Sequence, residues 1–396
     1  MITRFRVQNY KALRDVTLDL TPMHLLIGPN DSGKTSILEA LAALCRSVDN
    51  ELKQSFLGSW SDDQLVWSGA TSPIVVFEAD GDQERGRANY SIAVRFNKGR
   101  QVLLVDEHVR VSWRDQIIDV DNWPSGYSKV CQLARENFRS GESEAFGELA
   151  EAVHRMLSGV QFYRWVPRHL ALPTAPDSLR RFQMDPSGFG LALCLDDILG
   201  YDRDRFIALE NRFKSIFPQV ESIKLIPGPA YKAPVDNQKQ VLKLQESDGK
   251  GIYFQFTGGS KPVSASQVSD GVLLVLAYLA ILYLPEPPRV LLVEEPENGI
   301  HPARLQEVLT ILRDLVSEQS HTQVILTSHS PYVVSLFEPE EVTLCHKDAD
   351  GAVTVRRLSE SETVQSQIDF FTLGEIWTGE GDEALMEPVK TVDQPS

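Results

Sequence analysis

Residues 28–35 read GPNDSGKT, a glycine-containing loop that closes on a lysine and a hydroxyl side chain with the spacing G-x-x-x-x-G-K-T. Glycines let successive backbone N–H groups turn toward one anion, and a helix opening at the loop's end adds the positive end of its dipole. In that setting Lys34 reaches the β- and γ-phosphates of a nucleotide, and the Thr35 hydroxyl ligates Mg²⁺. Gly28, Pro29, Asn30, Asp31, Ser32, Gly33, Lys34, Thr35 and Ser36 are therefore candidate ATP-binding residues. The competing reading is a glycine-rich turn before a helix. Against it, an apolar run, His24 to Ile27, precedes the loop, and Ile37, Leu38, Leu41, Leu44, Cys45 and Val48 follow at helical spacing. That is the strand–loop–helix context the chemistry needs.

A second string, VLLVEEPENGIHP from Val290 to Pro302, sends a buried strand into two adjacent carboxylates. Ligands of α/β folds bind beyond the carboxyl ends of strands. There Glu294 suits a Mg²⁺ ligand, and Glu295 suits a general base that orients and deprotonates an attacking water. The plainer reading is a solvated acidic turn. A third string, TSHSP from Thr327 to Pro331, ends the next apolar strand and offers His329 to a γ-phosphate, although a lone histidine at a strand end is usually structural. A fourth, VSDGV from Val268 to Val272, opens a helix at Asp270. Ser269 and Gly271 there form a helix N-terminus suited to an anion, or simply an N-cap.

The elements that must position these residues are those of an α/β protein. Residues 1–20 alternate like a hairpin, with Phe5, Val7 and Tyr10 answered by Val16, Leu18 and Leu20 and a turn near Ala12 to Asp15. Period-two runs at Ile74–Ala79, Tyr90–Phe96, Val102–Val109 and Ile117–Val120 predict an antiparallel meander. Residues 128–158 read as amphipathic helix, Val160–Val166 as a strand, and helical segments continue to about Phe217. Val241–Gln245 and Ile252–Phe256 suggest a second hairpin. In the last third, a helix at Asp270–Leu284, a strand at Val290–Val293, a helix at Ala303–Gln319 and a strand at Val324–Thr327 imply a parallel sheet covered on both faces. The acidic stretch from about Gly379, with Pro388 and Pro395, is expected to be poorly ordered. There are no internal repeats.

Composition narrows the function. The 396 residues are 42% apolar and 24% charged, which is ordinary for a globular chain. The longest apolar run, Gly271 to Leu284, stops at Pro285 and suits a core helix better than a membrane span. With no signal-like N-terminus, the expectation is a soluble, cytoplasmic protein without a membrane partner. A net charge of −16 argues against a general polyanion binder. The densest basic segment, Arg164–Lys214, balances eight basic residues against seven acidic ones. Cys45, Cys131, Cys194 and Cys345 are far apart and read as core residues in a reducing compartment.

GPNDSGKT, VSDG, LLVEEPENGIHP and TSHSP, in that order after FRVQNYKALRDVTLDL, resemble the ABC-type ATPases of the SMC/RecF/OLD group, closest to OLD-like ATPases of the AAA_21 type. RRFQMDPSGFGLALCLDDIL also looks like a segment of these proteins. The resemblance implies a P-loop NTPase of the ABC-ATPase head type with a β-rich N-terminal lobe and a mostly helical insertion. The expected division is residues 1–125 (P-loop and β lobe), 126–235 (helical insertion), 236–375 (signature, Walker B and switch histidine) and 376–396 (acidic tail). It further implies a head-to-tail homodimer or higher oligomer. Gly28 to Thr35, Glu294, Glu295 and His329 of one copy would face Ser269 and Gly271 of the other across ATP.

The departures from the family are informative. VSDGV in place of LSGGQ argues against a transporter subunit, and Glu294 stands where many relatives of the wider class have Asp. The Q-loop position is open between Gln161, Arg164 and Arg168, and His301 is either an interface residue or a helix-start residue. The sixty-five or so residues after Pro331 are too few for a Toprim nuclease, and Asp348, Asp350, Glu360 and Glu362 among them read as surface. The resulting expectation is an ATP-driven sensor or scaffold controlling a separately encoded effector, a nuclease or toxin, in defence against phage. Two other readings are a RecF-like DNA-binding ATPase of repair, which the charge does not favour, and an interaction module with a degenerate ATP site.

Overall fold

The N-terminal alternation does build a hairpin. β1 (Ile2–Tyr10) and β2 (Leu13–Asp19) pair antiparallel with Phe5 opposite Leu18 and Val7 opposite Val16. The computed structural model describes residues 1–57, 64–83, 85–97, 101–112, 114–119, 126–136, 144–177, 181–232, 247–318 and 321–387. The chain forms two compact units. One comprises Met1–Val160, Arg289–Leu292 and Gln323–Ser396; the other comprises Gln161–Pro288 and Val293–Thr322.

In the first unit β3 (Met23–Ile27), buried throughout, leads to α1 (Lys34–Ser47) and α2 (Leu52–Phe56). Then come β4 (Ile74–Gln83), β5 (Gly86–Asn97), β6 (Gln101–Val111), β7 (Arg114–Asp119), α3 (Lys129–Arg135) and α4 (Glu144–Leu157). The expected hairpin and meander are one sheet, ordered β2-β1-β4-β5-β6-β7, because β1 also pairs with β4, Val7 facing Phe77. Its inner face, including Phe5, Val7, Phe77, Tyr90 and Ile92, is fully buried. Each such side chain contributes about 1.5–3 kcal/mol on leaving water. This lobe is tied to the end of α1. Glu107 on β6, buried and shifted toward its neutral form by that burial, accepts from Tyr90 Oη (2.9 Å) and from the N–H of Lys129 (2.6 Å) at the start of α3. Ser128 Oγ donates to the Ser47 carbonyl at 2.9 Å.

The second unit takes in most of β8 (Val160–Tyr163), then α5 (Pro167–Leu170), α6 (Leu191–Tyr201), α7 (Arg203–Ile216), β9 (Val220–Ala230), β10 (Ser247–Phe256), β11 (Val263–Ser264), α8 (Asp270–Leu282), the end of β12 (Val290–Glu294) and α9 (Pro302–Glu318). β8 is shorter than its apolar run suggested. β10 pairs with β9 and β11; the expected partner Val241–Gln245 lies outside the described residues. β9 carries Pro227 and Pro229 and stands at the edge of this three-stranded sheet, where a missing N–H costs no ladder bond. α8 is buried from Val272 to Leu282, as its apolar run requires.

The chain returns to the first unit with β13 (Gln323–Ser328), α10 (Pro331–Val334), β14 (Val342–Lys347), β15 (Val353–Arg357), α11 (Glu362–Gln367) and α12 (Leu373–Met386). The strand order is β15-β14-β3-β13-β12-β8, with β14, β3 and β13 parallel. β12 and β8 each begin in the first unit and end in the second. The stretch from Gly379, expected to be poorly ordered, belongs to α12 as far as Met386. A Thr372–Glu375 capping box starts that helix, Ile376 and Leu385 are buried, and Gly381 absorbs a kink at φ 81°. All four cysteines are buried with free thiols. Among the described residues no helix is long and apolar enough to cross a membrane.

Candidate nucleotide site

In the first unit, parallel pairing brings two of the sequence strings to neighbouring strand ends. Ile27 of β3 is opposite Ser328 of β13, and Leu344 of β14 is opposite Ile27 on the other side. The loop that starts at Gly28 and the segment that starts at His329 therefore leave the same edge of the sheet. His329 is exposed, while Thr327 and Ser328 are buried and Ser328 Oγ accepts from the Ser330 N–H at 2.9 Å.

The loop's shape is dictated by its backbone. Gly28 has φ 137°, and a Cβ there would collide with the Cys345 carbonyl oxygen. Gly33, at φ 92°, is the N-cap of α1, and a Cβ on it would run into the Val353 side chain. Asp31 also takes a left-handed conformation, φ 67°, and its exposed carboxylate pairs with Lys347 Nζ at 2.8 Å. No side chain caps α1, so the N–H groups of its first turn face a loop built from backbone. Lys34, 7% exposed, folds its Nζ back onto the carbonyls of Gly28 and Pro29, each at 2.8 Å. A glycine-shaped loop at a helix start, with an ammonium folded onto it, is of the kind that suits a phosphate chain. Pro29, Asn30, Ser32, Thr35 and Ser36 lie along the same loop and first turn, with Ser32 buried.

In the second unit, Glu294 is the last residue of β12, and its side chain is 6% exposed with Arg164 Nε at 3.4 Å. Glu295 follows at φ 48°, the only residue of the VLLVEEPENGIHP string besides Gly299 with a positive φ. A glutamate held left-handed costs about 1–3 kcal/mol, a strain that typically persists where function requires the geometry. Its Oε2 accepts from Asn298 Nδ2 at 2.5 Å, and its carbonyl accepts from the Asn298 N–H at 3.0 Å. The turn then packs on the start of α8: a Cβ on Gly271 would lie 3.6 Å from the Gly299 carbonyl oxygen. Ser269 has N-cap backbone angles, but its hydroxyl makes no capping bond; Ser269 is exposed. Helix α8 thus starts without a side-chain cap and with an uncommitted Ser269 hydroxyl, and Asp270 adds a carboxylate to its first turn.

The alternatives left open by the sequence separate geometrically. Gln161 Oε1 accepts from Tyr163 Oη at 2.7 Å, and Arg168 lies in α5; of the three, Arg164 is the one at Glu294. His301 Nδ1 accepts from the Ala303 N–H at 3.2 Å, which is the helix-start geometry for α9. Asn298 was not singled out from sequence, although the string EEPEN contains it. The crowding of the loop by Cys345 and Val353 has no local sequence signal. Thr35 and Glu294 offer oxygen donors of the kind Mg²⁺ prefers.

Comparison with known proteins gives the family. Residues 23–335 match the AAA_21 family, described as "AAA domain, putative AbiEii toxin, Type IV TA system". The chain is 21% identical over 388 residues to an OLD nuclease of Thermus scotoductus, covering 91% of this chain but only 65% of that protein's length. The SMC head domain from Thermotoga maritima is similar over 90% of this chain and 98% of its own, at 13% identity and a TM-score of 0.44. The fold is α/β, that of a P-loop ATPase head with a β-rich N-terminal lobe and a mostly helical insertion. With well over half of its length matched, the chain belongs to the AAA_21 family of ATPases.

Proposed function

We propose that this chain binds and hydrolyses Mg-ATP, ATP + H₂O → ADP + phosphate, and works as a nucleotide-gated homodimer or higher assembly. The observation that carries the reading is the backbone-built loop Gly28–Thr35, whose two glycines accept no Cβ and whose lysine already bonds the loop's own carbonyls. Gly28 to Ser36 hold the phosphates. Bound Mg²⁺, held by Thr35 and Glu294, supplies charge neutralisation of the phosphates. Glu295 takes a proton from the attacking water, with Asn298 steadying its carboxylate, and His329 contacts the γ-phosphate. Ser269 and Gly271 act on the ATP of the facing copy. In biological terms, ATP occupancy sets the state of a scaffold that controls a separately encoded nuclease or toxin in defence against phage. The family resemblance supports that reading; DNA contact has no support in the charge balance.

The test combines binding and turnover. Removing a general base costs roughly 10²–10⁴ in rate, so Glu295→Gln keeps ATP affinity and loses turnover by that factor. Lys34→Ala loses both. A Glu295→Gln protein hydrolysing at the wild-type rate contradicts the assignment.

A further inference from the structure

One side chain with no role so far stands on the carboxylate proposed to hold the metal. Arg164 follows the end of β8, and its Nε lies 3.4 Å from Glu294 Oε2. The partners are unlike: the Glu294 side chain is 6% exposed and that of Arg164 is 79% exposed. An ion pair between two mobile surface groups contributes little. Here the acid is desolvated, a situation that is costly without a nearby cation, and the guanidinium reaches it from solvent. The main chain around Arg164 is pinned. Its N–H donates to the Pro186 carbonyl and that of Val166 to the Ser187 carbonyl, both at 2.8 Å. The Trp165 ring packs 5.1 Å from Tyr163 and 4.5 Å from Tyr278 of α8. Only the arginine side chain is left to swing.

From this geometry we infer that Arg164 is a placeholder for the divalent cation. In the nucleotide-free chain its guanidinium compensates Glu294, and the cation that arrives with ATP displaces it into solvent. The inference rests on the metal role proposed for Glu294. Two positive groups on one carboxylate repel each other, so free divalent ions bind poorly until the phosphates bring compensating negative charge. Arg164 is a positioning residue in this account. It touches no reacting atom, and it makes metal entry depend on nucleotide entry.

The experiment titrates Mn²⁺ into the full chain and reads free Mn²⁺ by its paramagnetic resonance signal, with and without a non-hydrolysable ATP analogue. Without nucleotide, Arg164→Ala and Arg164→Gln bind Mn²⁺ about tenfold more tightly than wild type, the size expected for removing one partly screened like charge. Arg164→Lys stays near wild type. With the analogue, all four proteins converge. Equal nucleotide-free affinities for wild type, Ala and Gln, or no binding by any of them, overturn the inference. Glu294→Gln separates the two levels. If it leaves Mn²⁺–nucleotide binding unchanged, the metal role of Glu294 fails, and the placeholder with it. If it weakens that binding while Arg164→Ala shifts nothing, only the placeholder is wrong.

Discussion

The loop after β3 and the turn after β12 both follow a fully buried strand, and both are proposed to handle the same nucleotide, yet they are held in different ways. The first is fixed by main-chain sterics: Gly28 against the Cys345 carbonyl, Gly33 against Val353. The second is fixed by side chains, with Arg164 on Glu294 and Asn298 on Glu295, and it keeps a glutamate at φ 48°. A phosphate presents several acceptors, which a rigid run of N–H groups matches without rearrangement. A metal and a water must arrive, react and leave, and side chains can yield where a backbone cannot. On the proposed reading, the loop after β3 is a preformed anion cradle, and the turn after β12 supplies an adjustable metal ligand and base.

The largest expected effect breaks the rigid side. Gly28→Ala drives a methyl group into a carbonyl and forces a left-handed φ on alanine. The combined overpacking and strain amount to about 3–5 kcal/mol, read as a fall in unfolding free energy together with loss of ATP binding. A Gly28→Ala protein as stable as wild type and still binding ATP would mean that the loop is not sterically fixed.

The next effect probes the strand beneath it. His24 in β3 is fully buried, with Thr21 Oγ1 3.1 Å from Nδ1 and Thr343 Oγ1 3.0 Å from Nε2. Burial, with Arg357 acting in the same direction, pulls its pKa down to about 3. The unfolded chain therefore binds this proton first. The contribution of His24 is complete above pH 6.5 and is lost as pH falls from there toward 3, about 2 kcal/mol by pH 5. His24→Gln should flatten that part of the stability–pH curve. An unchanged slope would show that the histidine titrates normally.

The smallest effect concerns the adjustable side. Because Glu295 is left-handed, Glu295→Gly should be more stable than Glu295→Ala by about 1 kcal/mol, with both variants inactive. Equal stabilities, measured by denaturant unfolding, would place no strain at this residue.

How much of this was readable in the sequence follows from the same contrast. GPNDSGKT announces itself because backbone geometry demands glycine at fixed spacing, and β12, β13 and α8 announce themselves as uninterrupted apolar runs. β9 escaped because Pro227 and Pro229 argue against a strand unless its edge position is known. β14 and β15 escaped because Thr, His, Lys and Arg interrupt their apolar pattern. The contact of Arg164 with Glu294 joins residues far apart in the chain, so spacing cannot disclose it; Arg164 stood in the sequence only as one of three options. The N-cap angles of Ser269 were legible in VSDG, whereas the uncommitted hydroxyl was not.

The central claim is that ATP closes two copies of this chain around itself. The direct test is the solution mass of the Glu295→Gln protein by light scattering, with and without Mg-ATP, with Ser269→Arg in the same background as the control. The account predicts a mass that doubles on adding Mg-ATP and a control that stays at the lower mass. A mass that ATP does not change would contradict nucleotide-gated pairing.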